Sequence, residues 1–427
     1  MASSPATRQP TCCISARASA LGVSAAGRGP YRFVLVLVLL LGLAPTAARS
    51  HDPSAWGGVF RSRDAGATWV SANRGAFLSG ALAMAISPTD PNHMLLGTES
   101  GLVESTNGGR DWNIEAPNLL LGAVFAATFD ADGQRALAAT GSGLFAKQSG
   151  AWNRISAPEA ALPARAIMRG SQTQRVYLAG WTGFYRSDDW GASWTAAAAG
   201  LPPGPVTALL VTQSPETLYA VVHGGLWVSA DGARRWARHE ANSFGAAIDS
   251  LAPDSNDPEA LWGAAGGRLF RSNDKGASWE QIGRKLPAPG ITVNGLNANG
   301  STIVLSTDRG LYRTTDAGKN WTLLAANLPA HLEAGPILRD PDDPETLYAG
   351  FSLIPYRELW RRAANHEGAL DRVSITSLAG GGVVILMLLS AAVFAFRRLR
   401  RYYQPRGGNI PRAQAAADYR LKNRRLT

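Results

Sequence analysis

Cysteine is nearly absent from this chain: 427 residues hold two, Cys12 and Cys13, side by side near the N-terminus. Both lie upstream of an apolar run from Phe33 to Ala44, so a chain processed after that run keeps neither. On that reading a disulfide framework, a thiolate zinc site and a cysteine nucleophile are excluded, and stability must come from packing. Histidine is scarce too. The six residues His51, His93, His223, His239, His331 and His366 include no pair three or four apart that would set two ligands on one helix face. No metal, no other cofactor and no catalytic residue is assigned from the sequence.

An excess of one charge is also missing where the total suggests it. The formal net charge is +10, yet fourteen of the 42 Lys and Arg, and only one of the 32 Asp and Glu, flank the two long apolar runs. The chain between them is slightly acidic, which removes the main support for nucleic-acid binding.

The first apolar run, FVLVLVLLLGLA, follows Arg28 and Arg32 and gives way to Pro45, Thr46, Ala47 and Ala48. A charged start, an apolar stretch too short to span a bilayer and a small-residue exit predict a signal peptide over residues 1–48. The second run, Val373 to Phe396, is uncharged and long enough, at about 1.5 Å per helical residue, to cross a core of about 30 Å. It is expected to be a transmembrane helix. Arg397, Arg398, Arg400 and Arg401 follow at once, with Tyr402 and Tyr403 at interfacial depth. The positive-inside rule then puts the basic tail, 397–427, in the cytoplasm. The domain at 49–362 and its linker, 363–372, fall outside, giving a single-pass protein of the cell membrane.

The middle of the chain is organised by a repeat. Trp69, Trp112, Trp152, Trp194, Trp236, Trp279 and Trp321 are spaced 40 to 43 residues apart. Most close a pattern S/T-x-D-x-G-x-x-W, as in Ser62 to Trp69 around Asp64, Ser187 to Trp194 around Asp189, Ser272 to Trp279 around Asp274 and Thr314 to Trp321 around Asp316. The second copy has Asn107 for Asp; another keeps Asp231 but has Ala233 for Gly; the copy ending at Trp152 keeps little else. These are hairpin-turn residues: Asp accepts bonds from nearby backbone N–H groups, Gly permits positive φ, and Trp supplies an apolar plate. They are assigned structural roles, as are the recurrent Arg61, Arg186, Arg271 and Arg313.

Four short strands fit each period, and four strands per repeat of this length mark a propeller blade. Gly58 to Val70 supplies only the third and fourth strands of a blade and Gly335 to Phe351 only the first and second. Pairing them closes a ring. The expected fold is all-β, a seven-bladed propeller of four-stranded antiparallel blades closed by its N- and C-terminal strands and followed by one transmembrane helix.

The motif resembles the Asp-box, or BNR repeat, of sialidases, sortilin-type receptors, xyloglucanases and the photosystem II stability and assembly factors. Over about Gly58 to Phe351 the chain is most similar to the assembly-factor type. That resemblance implies an interaction propeller whose binding face is opposite the Asp-box turns. Sialidases of this motif are six-bladed and carry an Arg-Ile-Pro sequence absent here, and the xyloglucanases typically set two propellers face to face where this chain has room for one.

Because strands alternate in direction, the loops between second and third strands share the face opposite the repeat turns. They offer Glu99, Trp181, His223, Asp308 and Arg309, with Tyr356 and Arg357 beyond the last strand. Ordinary solvated loops explain each residue singly; a surface rich in Trp, Tyr and Arg also suits a protein partner. The expectation is a non-enzymatic, membrane-tethered interaction scaffold or assembly factor with a membrane-proximal protein partner. The alternative is a glycoside hydrolase acting on extracytoplasmic glycan, which requires converging carboxylates on that face.

Overall fold

The computed structural model describes residues 57–74, 78, 80–239, 244–329, 331–365 and 390–399. Both apolar runs bear on unassigned ground: Phe33 to Ala44, and residues 373–389 of the run expected to span a membrane, lie outside the described residues. Residues 390–399 are helical, and among the described residues no helix is long and apolar enough to cross a membrane.

Twenty-eight strands occur among the described residues. The described residues open with β1 (Gly58–Ser62) and β2 (Val70–Ser71). Blade 1 is β3 (Ala83–Ile86), β4 (Met94–Gly97), β5 (Leu102–Ser105) and β6 (Asn113–Glu115). Blade 2 is β7 (Val124–Phe129), β8 (Ala136–Thr140), β9 (Leu144–Gln148) and β10 (Ala151–Ile155), and blade 3 is β11 (Ala166–Arg169), β12 (Val176–Ala179), β13 (Phe184–Ser187) and β14 (Thr195–Ala196). Blade 4 is β15 (Val206–Gln213), β16 (Glu216–Val222), β17 (Gly225–Ser229) and β18 (Ala237–Arg238), and blade 5 is β19 (Ile248–Pro253), β20 (Leu261–Ala265), β21 (Arg268–Ser272) and β22 (Glu280–Ile282). Blade 6 is β23 (Val293–Asn299), β24 (Thr302–Thr307), β25 (Gly310–Thr314) and β26 (Thr322–Leu324). After blade 6 come β27 (Glu333–Arg339), β28 (Leu347–Ser352) and a helix, α1 (Tyr356–Ala364).

Every blade is a four-stranded antiparallel sheet, and the seventh has the order β2-β1-β28-β27. The expected closure is therefore present, with Gly58 opposite Phe351 and Ser62 opposite Leu347. The first strand of each blade is innermost, and these strands touch in sequence around the axis, β27 returning to β3. A closed ring leaves no open edge at the junction of the chain ends.

The repeat turns work as their residue types require. In the first copy the Ser62 hydroxyl donates to Asp64 Oδ1 at 2.7 Å, while Asp64 accepts the Thr68 backbone N–H at 2.8 Å and its hydroxyl at 2.6 Å. Two consecutive left-handed residues carry the chain round, Ala65 at φ 51° and Gly66 at φ 82°. The copy at Asp231 places Gly232 first (φ 73°) and Ala233 second (φ 64°), so the glycine has moved one place along the same two-residue bend. The degenerate third copy is a different turn: Ser149 (φ 50°) and Gly150 (φ 79°) join β9 directly to β10 with the two positive angles of a type I′ hairpin.

Hydrogen bonds hold these aspartates low. Asp274, bonded by the Ser278 hydroxyl and backbone, lies at about 2. Arginines preceding the turns fasten one blade to the next: Arg61 Nη1 donates to Gly108 O at 3.1 Å, Arg186 Nη1 to Gly232 O at 2.8 Å and Arg313 Nε to Ala65 O at 2.8 Å.

Where blade 2 lost its turn motif, an ion network ties it to blade 1. Lys147 Nζ lies 2.7 Å from Glu104 Oε1 and 3.1 Å from Glu115 Oε2, and Trp152 Nε1 donates to Glu115 Oε2 at 2.8 Å. His93 Nε2 is 2.6 Å from Glu104. Burial alone would raise the Glu104 carboxyl, but the bonds from His93 and Lys147 outweigh it and hold the group at about 2. A depressed carboxylate contributes stability that is complete above its unfolded value, near 4.5, and is lost as pH falls through the folded value. The expected result is a loss of up to about 3 kcal/mol between pH 5 and pH 2, read from denaturant midpoints, and a shallower slope in Glu104→Gln. Equal slopes in the two proteins would remove the network from the account.

Candidate functional site

Strand alternation sends the six loops between second and third strands, and all blade-to-blade connections, to the face away from the repeat turns. The innermost strands enter the channel from this face, and most of them enter with an irregularity. Pairing skips Phe125 in β7, Thr207 in β15, Asp249 in β19, Asn294 in β23, and Gly335 and Pro336 in β27. A bulge re-aims the side chain it frees. Around the mouth the residues at or near the starts of the innermost strands grade from apolar, Leu82 and Phe125, through Arg165 and Thr207 to Asp249, Asn294 and Glu333.

The apolar half of this mouth is covered by α1. From the end of β28 the chain crosses the face instead of leaving it, and Tyr356 and Trp360 pack with Leu82 and Phe125, flanked by Trp181 and Ala363. Trp360 meets Trp181 edge-on at 4.7 Å and donates Nε1–H to Pro163 O at 3.0 Å; the Tyr356 hydroxyl donates to Phe125 O at 3.2 Å. The Arg165 guanidinium lies 4.1 Å over the Tyr356 ring. A Cβ at Gly141 would come within 3.1 Å of the Ala363 Cβ, so any larger residue there would push α1 outward by a few tenths of an ångström.

Three acids meet the crossing segment, residues 354–357. Glu99 is pushed up by burial against the opposing backbone N–H of Ile354, and its Oε1 is buried with no hydrogen-bond partner. Glu333 is pushed up by burial, opposed by Arg357 and the backbone N–H of Tyr356, and accepts from Asn294 Nδ2 at 3.0 Å. Asp249 is pushed up by burial, opposed by Arg357, whose Nη2 stands 4.0 Å from Asp249 Oδ1. Arg357 itself remains 64% exposed. A cavity of about 130 Å³ remains between Leu82, Arg165, Asn294, Gly335, Tyr356 and Arg357.

The residues singled out from the loops are thus only partly brought together. Trp181 and Tyr356 join through Trp360, with Tyr356 buried inside α1 and not presented by a loop. The helix also runs on to Ala364, into the segment read as linker. Glu99 faces the crossing segment, and Asp308 stands close enough to Asp249 and Glu333 to raise both. His223 and Arg309 are tied to the rim, His223 Nε2 to Pro203 O at 2.7 Å and Arg309 Nη2 to Pro289 O at 2.8 Å. The bulge residues Asp249 and Asn294, with Glu333, Arg165 and Trp360, were not visible as candidates.

No protein-family model matches the chain. A probable oligoxyloglucan-reducing end-specific xyloglucanase of Neosartorya fischeri is 27% identical over 191 residues, a match spanning 40% of this chain and 21% of that enzyme. Among solved structures, YCF48 from Cyanidioschyzon merolae superposes with a TM-score of 0.50 at 14% identity, covering 64% of this chain and 95% of that one. A YCF48 bound to D1 peptide gives 0.50 at 18% identity, over 64% and 92%. The xyloglucanase of Xanthomonas campestris gives 0.50 at 19% identity, over 65% and 52%. At these identities the likeness is one of fold.

Proposed function

We propose that this chain is an Asp-box propeller anchored in a membrane, with its propeller on the extracytoplasmic side, that binds a membrane-proximal protein and assists its assembly without catalysing a reaction. The observation that carries this reading is what occupies the loop-face mouth. A glycoside hydrolase needs two free carboxylates flanking an open sugar site. Here Glu99 and Glu333 face backbone N–H groups of the crossing segment, α1 covers half the mouth, and about 130 Å³ is left where small-molecule sites run to about 300–1,000 Å³. A pocket of that size suits one side chain of a partner. Exposed Arg357 and half-buried Trp181 on the same face have the composition of a protein contact.

Likeness to a YCF48 that binds a D1 peptide supports a protein ligand, and the short span from α1 to the expected membrane helix favours partners near the bilayer by effective concentration. The hydrolase reading retains one specific support, the two acids Asp249 and Glu333 beside Arg357. Both are tested by crosslinking in intact cells followed by solubilisation, comparing wild type with Arg357→Glu. A discrete co-purifying protein, lost in the variant, is the expected result; xyloglucan cleavage by the purified chain that disappears in Asp249→Asn would replace it.

A further inference from the structure

The channel has a second mouth, on the face of the repeat turns, and its chemistry is the reverse of the first. A cavity of about 380 Å³ opens between the far ends of the innermost strands, walled by Met84, Ile86, Phe129, Met168, Val211 and Leu338. No Asp or Glu lines it; its charged groups are Arg169 and Arg339. The Arg339 guanidinium is held by neutral acceptors, Nε donating to Asn297 Oδ1 at 2.9 Å and Nη1 to Pro344 O, while Nη2 is buried with no hydrogen-bond partner. Arg169 forms no ion pair among the described residues.

Glu345 and Asp343 act on Arg339 only through space, with no ion pair to it among the described residues, and two further carboxylates that act on these arginines are committed elsewhere. Asp130 accepts the Arg135 Nε–H at 2.8 Å and two backbone N–H groups, and Asp254 accepts Trp262 Nε1–H at 2.9 Å with two more. Desolvation accordingly pulls both arginines below their ordinary range. Two guanidinium groups in an otherwise apolar lining that holds no carboxylate favour an anion in the cavity beside them.

We infer that this mouth binds a small amphipathic monocarboxylate, an acid group on an unbranched apolar stem, with the carboxylate at Arg169 and Arg339 and the stem along Met84, Met168 and Leu338. The planar guanidinium fork matches a carboxylate, thioethers adapt to a flexible stem, and the volume lies in the small-molecule range. Charge excludes the chain's own tail, whose ten Lys and Arg against a single acid would be repelled here. The site is independent of the loop-face reading.

A diazirine-bearing decanoate, photolysed with the full chain in a neutral detergent, tests it by peptide mapping. Adducts on Met84, Met168 or Leu338 are expected, suppressed by unlabelled decanoate and reduced roughly tenfold or more in Arg169→Gln and Arg339→Gln, a charge-assisted bond being worth that much. Arg169→Gln removes no structural contact described above, so it remains informative if Arg339→Gln fails to fold. Adducts scattered over the surface, equal labelling by the amine analogue, or labelling unchanged in Arg169→Gln would overturn the inference.

Discussion

Phe60→Ala is expected to destabilise the propeller by about 3–5 kcal/mol and to do more damage than Phe270→Ala. The two residues occupy the same place in the third strand of their blades, and both are buried, at 0% and 1% exposure. They differ in what surrounds them. Phe270 sits in a blade whose four strands are consecutive, so its neighbours stay tethered by short loops. Phe60 sits on β1, which is joined to β28 by hydrogen bonds and by its edge-on contact with Phe351 at 5.3 Å. Removing the ring opens a cavity at the one seam where the ends of the propeller meet, and the loosened β1 and β2 expose the outer edge of β28. Denaturant midpoints with limited proteolysis measure this. Early cleavage between Gly58 and Ser71 in Phe60→Ala alone supports the closure argument; identical midpoints and cleavage patterns would contradict it.

Trp360→Ala is expected to release α1 while leaving the blades intact. A nine-residue helix is too short to persist in water by itself, where roughly 12–15 residues are needed. Its order therefore derives from docking, and Trp360 supplies the largest share: it is 5% exposed, bonds Pro163 and meets Trp181. Loss of about 3 kcal/mol at this contact corresponds to a fall in amide-exchange protection across Tyr356–Ala364 of roughly a hundredfold. Because α1 ends the described propeller, the loss appears as local opening. Unchanged protection in the variant would mean that the helix is held by something other than the aromatic contact.

The parts of this fold that repeat were legible, and the parts that do not repeat were not. Trp69 through Trp321 recur because every turn needs the same plate, and Asp64, Asp189, Asp274 and Asp316 recur because every turn needs the same acceptor. Ring closure followed from the half blades at each end. By contrast Asp249 and Asn294 gain their orientation from bulges, which insert one residue without changing the local pattern of apolar and polar residues. Nothing in the sequence around them signals that they face the channel. The helix was recoverable: Tyr356 and Trp360 are four apart, Pro355 precedes them, and Glu358 pairs with Arg362 at 2.8 Å. Its position just after the last strand left it read as the end of the propeller running into a linker, with Tyr356 and Arg357 as loop-face residues. Glu99 and Asp308 were found because they share a repeat position, directly after the threonines whose hydroxyls close their loops onto Gly101 and Gly310.

The loop face as a partner surface is tested most directly by intact-cell crosslinking and co-purification with three chains: wild type, Arg357→Glu on the loop face, and Lys319→Glu on the repeat-turn face. A discrete partner retained by wild type and Lys319→Glu but lost from Arg357→Glu is the predicted result. A partner lost only from Lys319→Glu, or none with any of the three, would contradict it.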